Sequence, residues 1–468
     1  MTTINPTSSE LRSLISHGPM GAFQLVAIAV CVGLNMLDGF DVLVISFTAS
    51  GVGAEWKLSG GQLGLLISAG LVGMAAGSIF LAPRADRFGR RSIILASVAI
   101  VSIGMLLSGF SRSFLMLGVL RVITGIGIGG ILASATVLVA EYSSERWRST
   151  ASCVYTAGYS LGATVGGAIA ALLIVRYGWR SAFLFGALSS VVMLPFVYWG
   201  LPESLEFLIT RRPPNALPRL NRLLARMQRT TLDQLPSGDI LETMPTATSI
   251  RRLLAAPLKR STVLIWISFF FMMAGYYFVF GWTPRLLTVS GLSAQQGITS
   301  GVLLSLGGIV GTLVFAFIAG VLEIRRLTCA CLLATCALMA LFAISTTHLA
   351  LALVTGVLLG GLTTGAMAGF YALTPTLYQA DVRTTGMGWA IGIGRFGAIL
   401  SPIATGILVD HGWHPMQLYL AFTSSFLIAM LALAGISTPG GRWVRSREVT
   451  RALRAEPISV QETLNEPS

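Results

Sequence analysis

The chain is 468 residues long, with 54% hydrophobic and only 11% charged residues, whereas a soluble chain carries about 25% charged residues. So little polar surface cannot cover a water-soluble globule of this size, which excludes a string of soluble domains and leaves a polytopic membrane protein. Lys and Arg total 32 against 19 Asp and Glu, a net charge of +13. That sign would suit nucleic acid, but the basic residues lie between and after the apolar runs, as membrane topology requires.

A membrane-crossing helix needs about 20 apolar residues. Such runs fall at 22–50, 61–81, 92–110, 114–138, 151–175 and 181–200, then at 262–288, 297–320, 327–346, 348–371, 386–408 and 414–435. The expected fold is therefore an all-α membrane protein with twelve transmembrane helices in two six-helix halves. Its expected parts are a leading segment 1–21, an N-terminal half 22–200, a central loop 201–261, a C-terminal half 262–435 and a tail 436–468. The first apolar run is too long for the core of a cleavable signal peptide. The central loop carries Pro213, Pro214 and Pro218 among many arginines and predicts a short amphipathic helix around 217–229.

With both termini on one side, that side holds 25 Lys and Arg and the other holds 5, while Arg121 and Arg395 lie within spans. The positive-inside bias then places both termini in the cytoplasm. The halves look related: Tyr177-Gly178-Trp179-Arg180 follows the fifth span and His411-Gly412-Trp413-His414 follows the eleventh, while Arg148-Ser149-Thr150 matches Arg383-Thr384-Thr385. Such a repeat predicts a pseudo-two-fold axis along the membrane normal and a central site between the halves.

Few residues offer enzyme chemistry. The histidines are His17, His348, His411 and His414, and no Ser/His/Asp constellation can be built from them. The five cysteines fall in apolar stretches and read as small buried residues; Cys329-x-Cys331 lacks the ligand set of a metal site. No metal or cofactor is expected.

The first span carries Asn35, Asp38 and Asp41 at i, i+3 and i+6, on one helical face. Acids inside a span are costly and point to function. Two carboxylates one turn apart cannot both ionise freely in a weakly polar cavity, so the pair can exchange protons. Arg395 lies roughly 14 Å into the eleventh span at about 1.5 Å per residue, near mid-membrane. Its guanidinium fork suits a carboxylate. Arg121, in the fourth span, either contacts substrate or pairs with Asp41 or Asp38. After the second span comes Ala82-Pro83-Arg84-Ala85-Asp86-Arg87-Phe88-Gly89-Arg90-Arg91, a charged loop able to close one face.

That loop resembles the Gly-x-x-x-Asp-Arg-x-Gly-Arg-Arg loop of the major facilitator superfamily, departing from it at Ala82 and Arg84. Arg121-x-x-x-Gly125-x-Gly127-x-Gly129, the Gly158-x-x-x-Gly162-x-x-x-Gly166 face and Pro202-Glu203-Ser204 resemble further superfamily features, and Ala163 stands where antiporters carry Pro, which favours symport. Asp38-Gly39-Phe40-Asp41, Gly281-Trp282-Thr283-Pro284, Gly394-Arg395-Phe396-Gly397-Ala398 and Arg383-x-x-Gly386-x-Gly388-Trp389 resemble the aromatic acid:H+ symporter family.

The resemblance implies import of an aromatic carboxylate of hydroxybenzoate or benzoate type with protons, by alternating access, in a bacterial inner membrane. It implies proton coupling by Asp38 and Asp41. Expected substrate contacts are Arg395, Arg121, Asn35, Phe40, Tyr159, Tyr277, Trp282 and Trp389. The expected cytoplasmic gate comprises Asp86, Arg87, Gly89, Arg90, Arg91, Glu141 and Arg383, with Glu141 held by Arg146 or Arg148. Glycines 386, 388, 392 and 394 are expected to permit sliding helix contacts. The expected partners are the substrate, protons and lipid, with no nucleic acid and a monomeric chain. A different organic acid or polyol (quinate, nicotinate, muconate) is the alternative cargo, and drug-efflux antiport a third reading.

Overall fold

The computed structural model describes residues 20–229, 231–235, 251–256, 258–345, 349–378 and 382–436. Most of the expected leading segment and nearly all of the tail lie outside them, as do parts of the central loop. The described residues are helical and contain no strand. The N-terminal half holds α1 (Ala22–Trp56), α2 (Gly60–Phe88), α3 (Arg90–Gly109), α4 (Phe114–Tyr142), α5 (Arg148–Tyr177) and α6 (Arg180–Gly200). Two short helices follow, α7 (Leu205–Arg211) and α8 (Ala216–Arg226), the second at the expected amphipathic stretch. The C-terminal half holds α9 (Lys259–Val289), α10 (Ala294–Ala319), α11 (Ile324–Ser345), α12 (Leu349–Leu373), α13 (Arg383–Asp410) and α14 (Pro415–Ala434). Among the described residues, twelve helices are long and apolar enough to cross a membrane.

Local signals set the helix ends. Ser59, Ser113 and Ser293 cap α2, α4 and α10 by accepting the amide of the residue three positions on, which satisfies one of the unpaired donors at each helix start. Gly89, at φ +95°, breaks α2 from α3, a backbone conformation that other residues rarely adopt.

The pattern of helix neighbours repeats. In the first half α1 packs on α5, α2 on α4, α3 on α4 and α3 on α6; in the second α9 packs on α13, α10 on α12, α11 on α12 and α11 on α14. The halves meet along two symmetry-related seams, α2 on α13 and α5 on α10, and α1 faces α9 between them. This places the middles of α1 and α9 at the centre of the molecule. The face bearing the Asp86 loop, α7 and α8 is called the basic face below.

Candidate functional site

The centre is built by close approach of α1 and α5. A Cβ added at Gly39 would lie 1.9 Å from the Tyr159 carbonyl oxygen, and one at Gly162 would lie 1.9 Å from that of Met36. Only glycine allows these backbones to touch. The glycine between the two acids of α1 thus sets Asp38 beside Tyr159.

The three polar residues of α1 then take different partners. Asp41 Oδ1 accepts from Arg121 Nη1 of α4 at 2.9 Å, with side chains 5% and 2% exposed. Arg121 also donates to Ser108 Oγ at 3.3 Å, touches the Met105 thioether at 3.1 Å and lies 5.0 Å over the Phe183 ring. The pair borders a small pocket between α1, α2 and α4, lined by Ile45, Ile67, Gly70 and Met74.

Asp38 is also buried, yet its Oδ1 has no hydrogen-bond partner. Its electrostatic neighbours are Arg395 of α13 and Asp41. Asn35 Nδ2 donates to the Tyr155 carbonyl at 2.6 Å.

Arg395 is half-buried, and its guanidinium lies against the Met74 thioether of α2. Among the described residues no carboxylate forms an ion pair with it. It interacts electrostatically with Asp38, Tyr159, Tyr277 and Tyr371. Tyr276 and Tyr277 meet edge to face at 5.4 Å. Tyr371 sits deep between the helices, edge-on to Phe269 at 6.0 Å, and is still 39% exposed, as a cavity wall would be. A cation with no ion pair and a carboxylate with an unpartnered oxygen, one from each half, thus lie together among Tyr159, Tyr277 and Tyr371. Such a site can take a carboxylate on the guanidinium, a ring between the aromatic walls and a proton on Asp38.

Several expected contacts lie elsewhere. Arg121 is committed to Asp41 and does not reach the central space as a substrate ligand. Asn35 spends its amide on α5. Phe40 is buried, edge-on to Phe185 at 5.4 Å and against Gly166, so it packs helices and offers no ring to a substrate. Trp282 is 1% exposed and donates to the Pro402 carbonyl at 3.2 Å, joining α9 to α13. Trp389 is six residues from Arg395, which turns it to another face of α13; it lies against Trp266 at 6.0 Å. A Cβ added at Gly388 or Gly392 would meet nothing within 4 Å, so these two glycines border open space and make no sliding contact; Gly386 and Gly394 do pack closely, on Tyr378 and Met273. Tyr371 was not anticipated. It is the last residue of the tenth apolar run, where a tyrosine reads as an interfacial anchor, so no local signal marks it as part of the centre.

On the basic face, Arg90 bridges Asp86, at 3.2 Å, and Glu141. Glu141 is therefore held by Arg90 and not by Arg146 or Arg148; it also accepts from Ser204 Oγ at 3.0 Å and the Leu205 amide at 3.1 Å. Glu203 accepts from the Arg91 amide at 3.1 Å, and Arg91 Nη2 donates to the Tyr198 carbonyl. Among the described residues Arg87 is exposed over Phe88 and Arg383 donates only to the Tyr378 carbonyl, so neither joins this network. Every residue named in it belongs to the first half or to the segment that directly follows it. Glu203, unassigned from sequence, is its missing member.

Among the described residues no group of three His, Cys, Asp or Glu side chains could hold a metal ion. The fold and the central polar site define a polytopic helical carrier. Residues 31–366 match the family model described as Major Facilitator Superfamily, and the chain belongs to that superfamily. It is 33% identical over 452 residues to a gallate transporter of Pseudomonas putida, covering 95% of this chain and 98% of that protein. It is 29% identical to the 4-hydroxybenzoate transporter PcaK of Pseudomonas aeruginosa, covering 92% and 96%. Its fold is similar to a partially occluded, inward-open xylose transporter XylE of E. coli, with TM-score 0.71, 15% identity and coverage of 90% and 100%. The chain is a multi-pass membrane transporter and not an enzyme.

Proposed function

We propose that the chain is a proton-coupled symporter that imports an aromatic carboxylate of the hydroxybenzoate type across a bacterial inner membrane, with its basic face in the cytoplasm. The observation that carries this reading is the placement of Arg395 and Asp38, from opposite halves and without an ion pair, beside each other among Tyr159, Tyr277 and Tyr371. The named relatives transport aromatic acids, and the charge bias of 25 to 5 supports the orientation.

In this mechanism the substrate carboxylate docks on Arg395 and its ring lies among Tyr159, Tyr277 and Tyr371. Neutralising Arg395 removes the cation that favours ionised Asp38, so Asp38 takes a proton from the outer side as substrate binds. The loaded centre is then neutral overall, and the halves can rock around it. Inside, substrate leaves and Arg395 again favours ionised Asp38, which returns the proton. Asp41 and Arg121, paired at 2.9 Å, tie α1 to α4 beside this centre, and both are needed for coupling. The proton gradient supplies the energy, and each chain works through its own cavity.

The test is uptake into proteoliposomes of labelled 4-hydroxybenzoate, gallate, benzoate, nicotinate and quinate, with and without a protonophore. Hydroxylated benzoates should accumulate, and the protonophore should abolish accumulation while leaving exchange. Accumulation of quinate alone, or accumulation insensitive to protonophore, would refute the reading.

A further inference from the structure

Helix α2 begins on the face opposite the basic loops. The first four amides of a helix lack intrahelical partners and carry the positive end of its dipole. Here Gly60 N donates to Asp410 Oδ1 at 2.6 Å and Gly61 N to Asp410 Oδ2 at 2.7 Å. Asp410 is the last residue of α13, in the other half of the molecule. Both its oxygens are spent on charge-assisted bonds that cross between the halves.

The seam beneath is tight. A Cβ added at Gly60 would lie 2.5 Å from the Gly406 carbonyl oxygen, one at Gly406 would lie 2.1 Å from that of Gly60, and one at Gly64 would lie 2.3 Å from that of Pro402. Ser68 Oγ donates to the Ile399 carbonyl at 2.7 Å. Helices α2 and α13 are therefore antiparallel and in backbone contact from Asp410 inward to the level of Ile399.

The symmetry-related seam, α5 on α10, lacks this device. The offset of 234 that aligns Tyr177-Gly178-Trp179 with His411-Gly412-Trp413 aligns Asp410 with Arg176 and Gly60 with Ala294. Arg176 carries the wrong sign to cap a helix start; α2 and α10 each have their own Ser and Gln cap, Ser59 with Gln62 and Ser293 with Gln296, so the Asp410 carboxylate is what differs. One seam is pinned by charge and the other is not.

We propose that Asp410 is a latch that holds the two halves closed on the face opposite the basic loops, and that releasing Gly60 and Gly61 is a required step when that face opens. Opening then starts at the α2–α13 seam. The inference rests on alternating access, but not on what is carried.

The experiment uses the full chain with its five cysteines replaced by serine, and with Ala54→Cys and Met416→Cys carrying spin labels on the outer ends of α1 and α14. Electron-spin distance measurement without substrate reports the separation of the halves on that face. The parent should show one dominant short distance. Asp410→Asn should raise the open-to-closed ratio about fivefold, equivalent to about 1 kcal/mol at 1.4 kcal/mol per tenfold. Gly61→Pro keeps the carboxylate, removes one donor and is tolerated in a first helical turn; it should shift the ratio the same way. Arg176→Gln should leave it unchanged. An unshifted distribution in both Asp410→Asn and Gly61→Pro, or an equal shift in Arg176→Gln, would overturn the latch. Because the readout needs neither substrate nor proton gradient, failure of the latch and failure of symport are separately visible.

Discussion

The buried pair of Asp41 and Arg121 permits a quantitative test. The pair is 2.9 Å apart with side chains 5% and 2% exposed, so solvent screens it little. Breaking a buried pair by removing one partner costs about 3–5 kcal/mol, because a charge is left without compensation. The two single variants are not equivalent. Asp41→Asn keeps an acceptor for Arg121, which also retains Ser108 and the Phe183 face; its loss should fall near the low end, about 3 kcal/mol. Arg121→Met leaves the Asp41 carboxylate with no other hydrogen-bond partner among the described residues, so its loss should approach about 5 kcal/mol. The double variant, neutral on both helices, should lose less than the sum, by a coupling energy of about 2–3 kcal/mol. The assay is denaturant unfolding in detergent for all four proteins, with uptake measured in parallel. The double variant should be folded and inactive in accumulation. Additive losses, single variants each within about 0.5 kcal/mol of the parent, or a double variant that accumulates substrate normally would refute the reasoning.

Other outcomes follow from the same geometry. Arg395→Gln should raise KM for benzoates at least about tenfold, since a charge-assisted contact is worth about 1.5–3 kcal/mol, with little effect on unfolding; an unchanged KM would remove Arg395 from the site. Tyr371→Phe should weaken hydroxylated benzoates more than benzoate itself, read as a change in the ratio of their KM values. Gly39→Ala should prevent α1 from meeting α5 and destabilise the fold by several kcal/mol of overpacking, read as loss of folded protein on size-exclusion chromatography. Glu203→Gln should weaken the basic-face network around Arg91 and raise proteolysis near Arg211, while leaving substrate affinity in detergent unchanged.

Much of this architecture can be read from the residues. Twelve apolar runs, a basic bias on alternate loops and a repeated Gly-Trp turn suffice for the helices and their pairing, because lipid leaves helices few alternatives. The acids of α1 and Arg395 stand out because charge in a span is expensive. What the sequence does not carry is azimuth. Asp38 and Asp41 lie about one turn apart and fall on either side of a boundary, one toward α4 and the other toward the opposite half. Phe40 and Trp282 illustrate the same limit: an aromatic ring in a span fits helix packing and cavity lining equally well until its neighbours are known. Glu203 joins the Asp86 loop through a contact 112 residues distant in the chain, which no local spacing can reveal.

The central claim is that Asp38 carries the proton that moves with the substrate. It is tested most directly in proteoliposomes by recording internal pH and labelled 4-hydroxybenzoate together, for the parent and for Asp38→Asn. The parent should acidify the interior as substrate enters and should accumulate it down a proton gradient; Asp38→Asn should still exchange substrate across the membrane but move no protons and build no gradient of substrate. Proton-driven accumulation by Asp38→Asn would contradict the account.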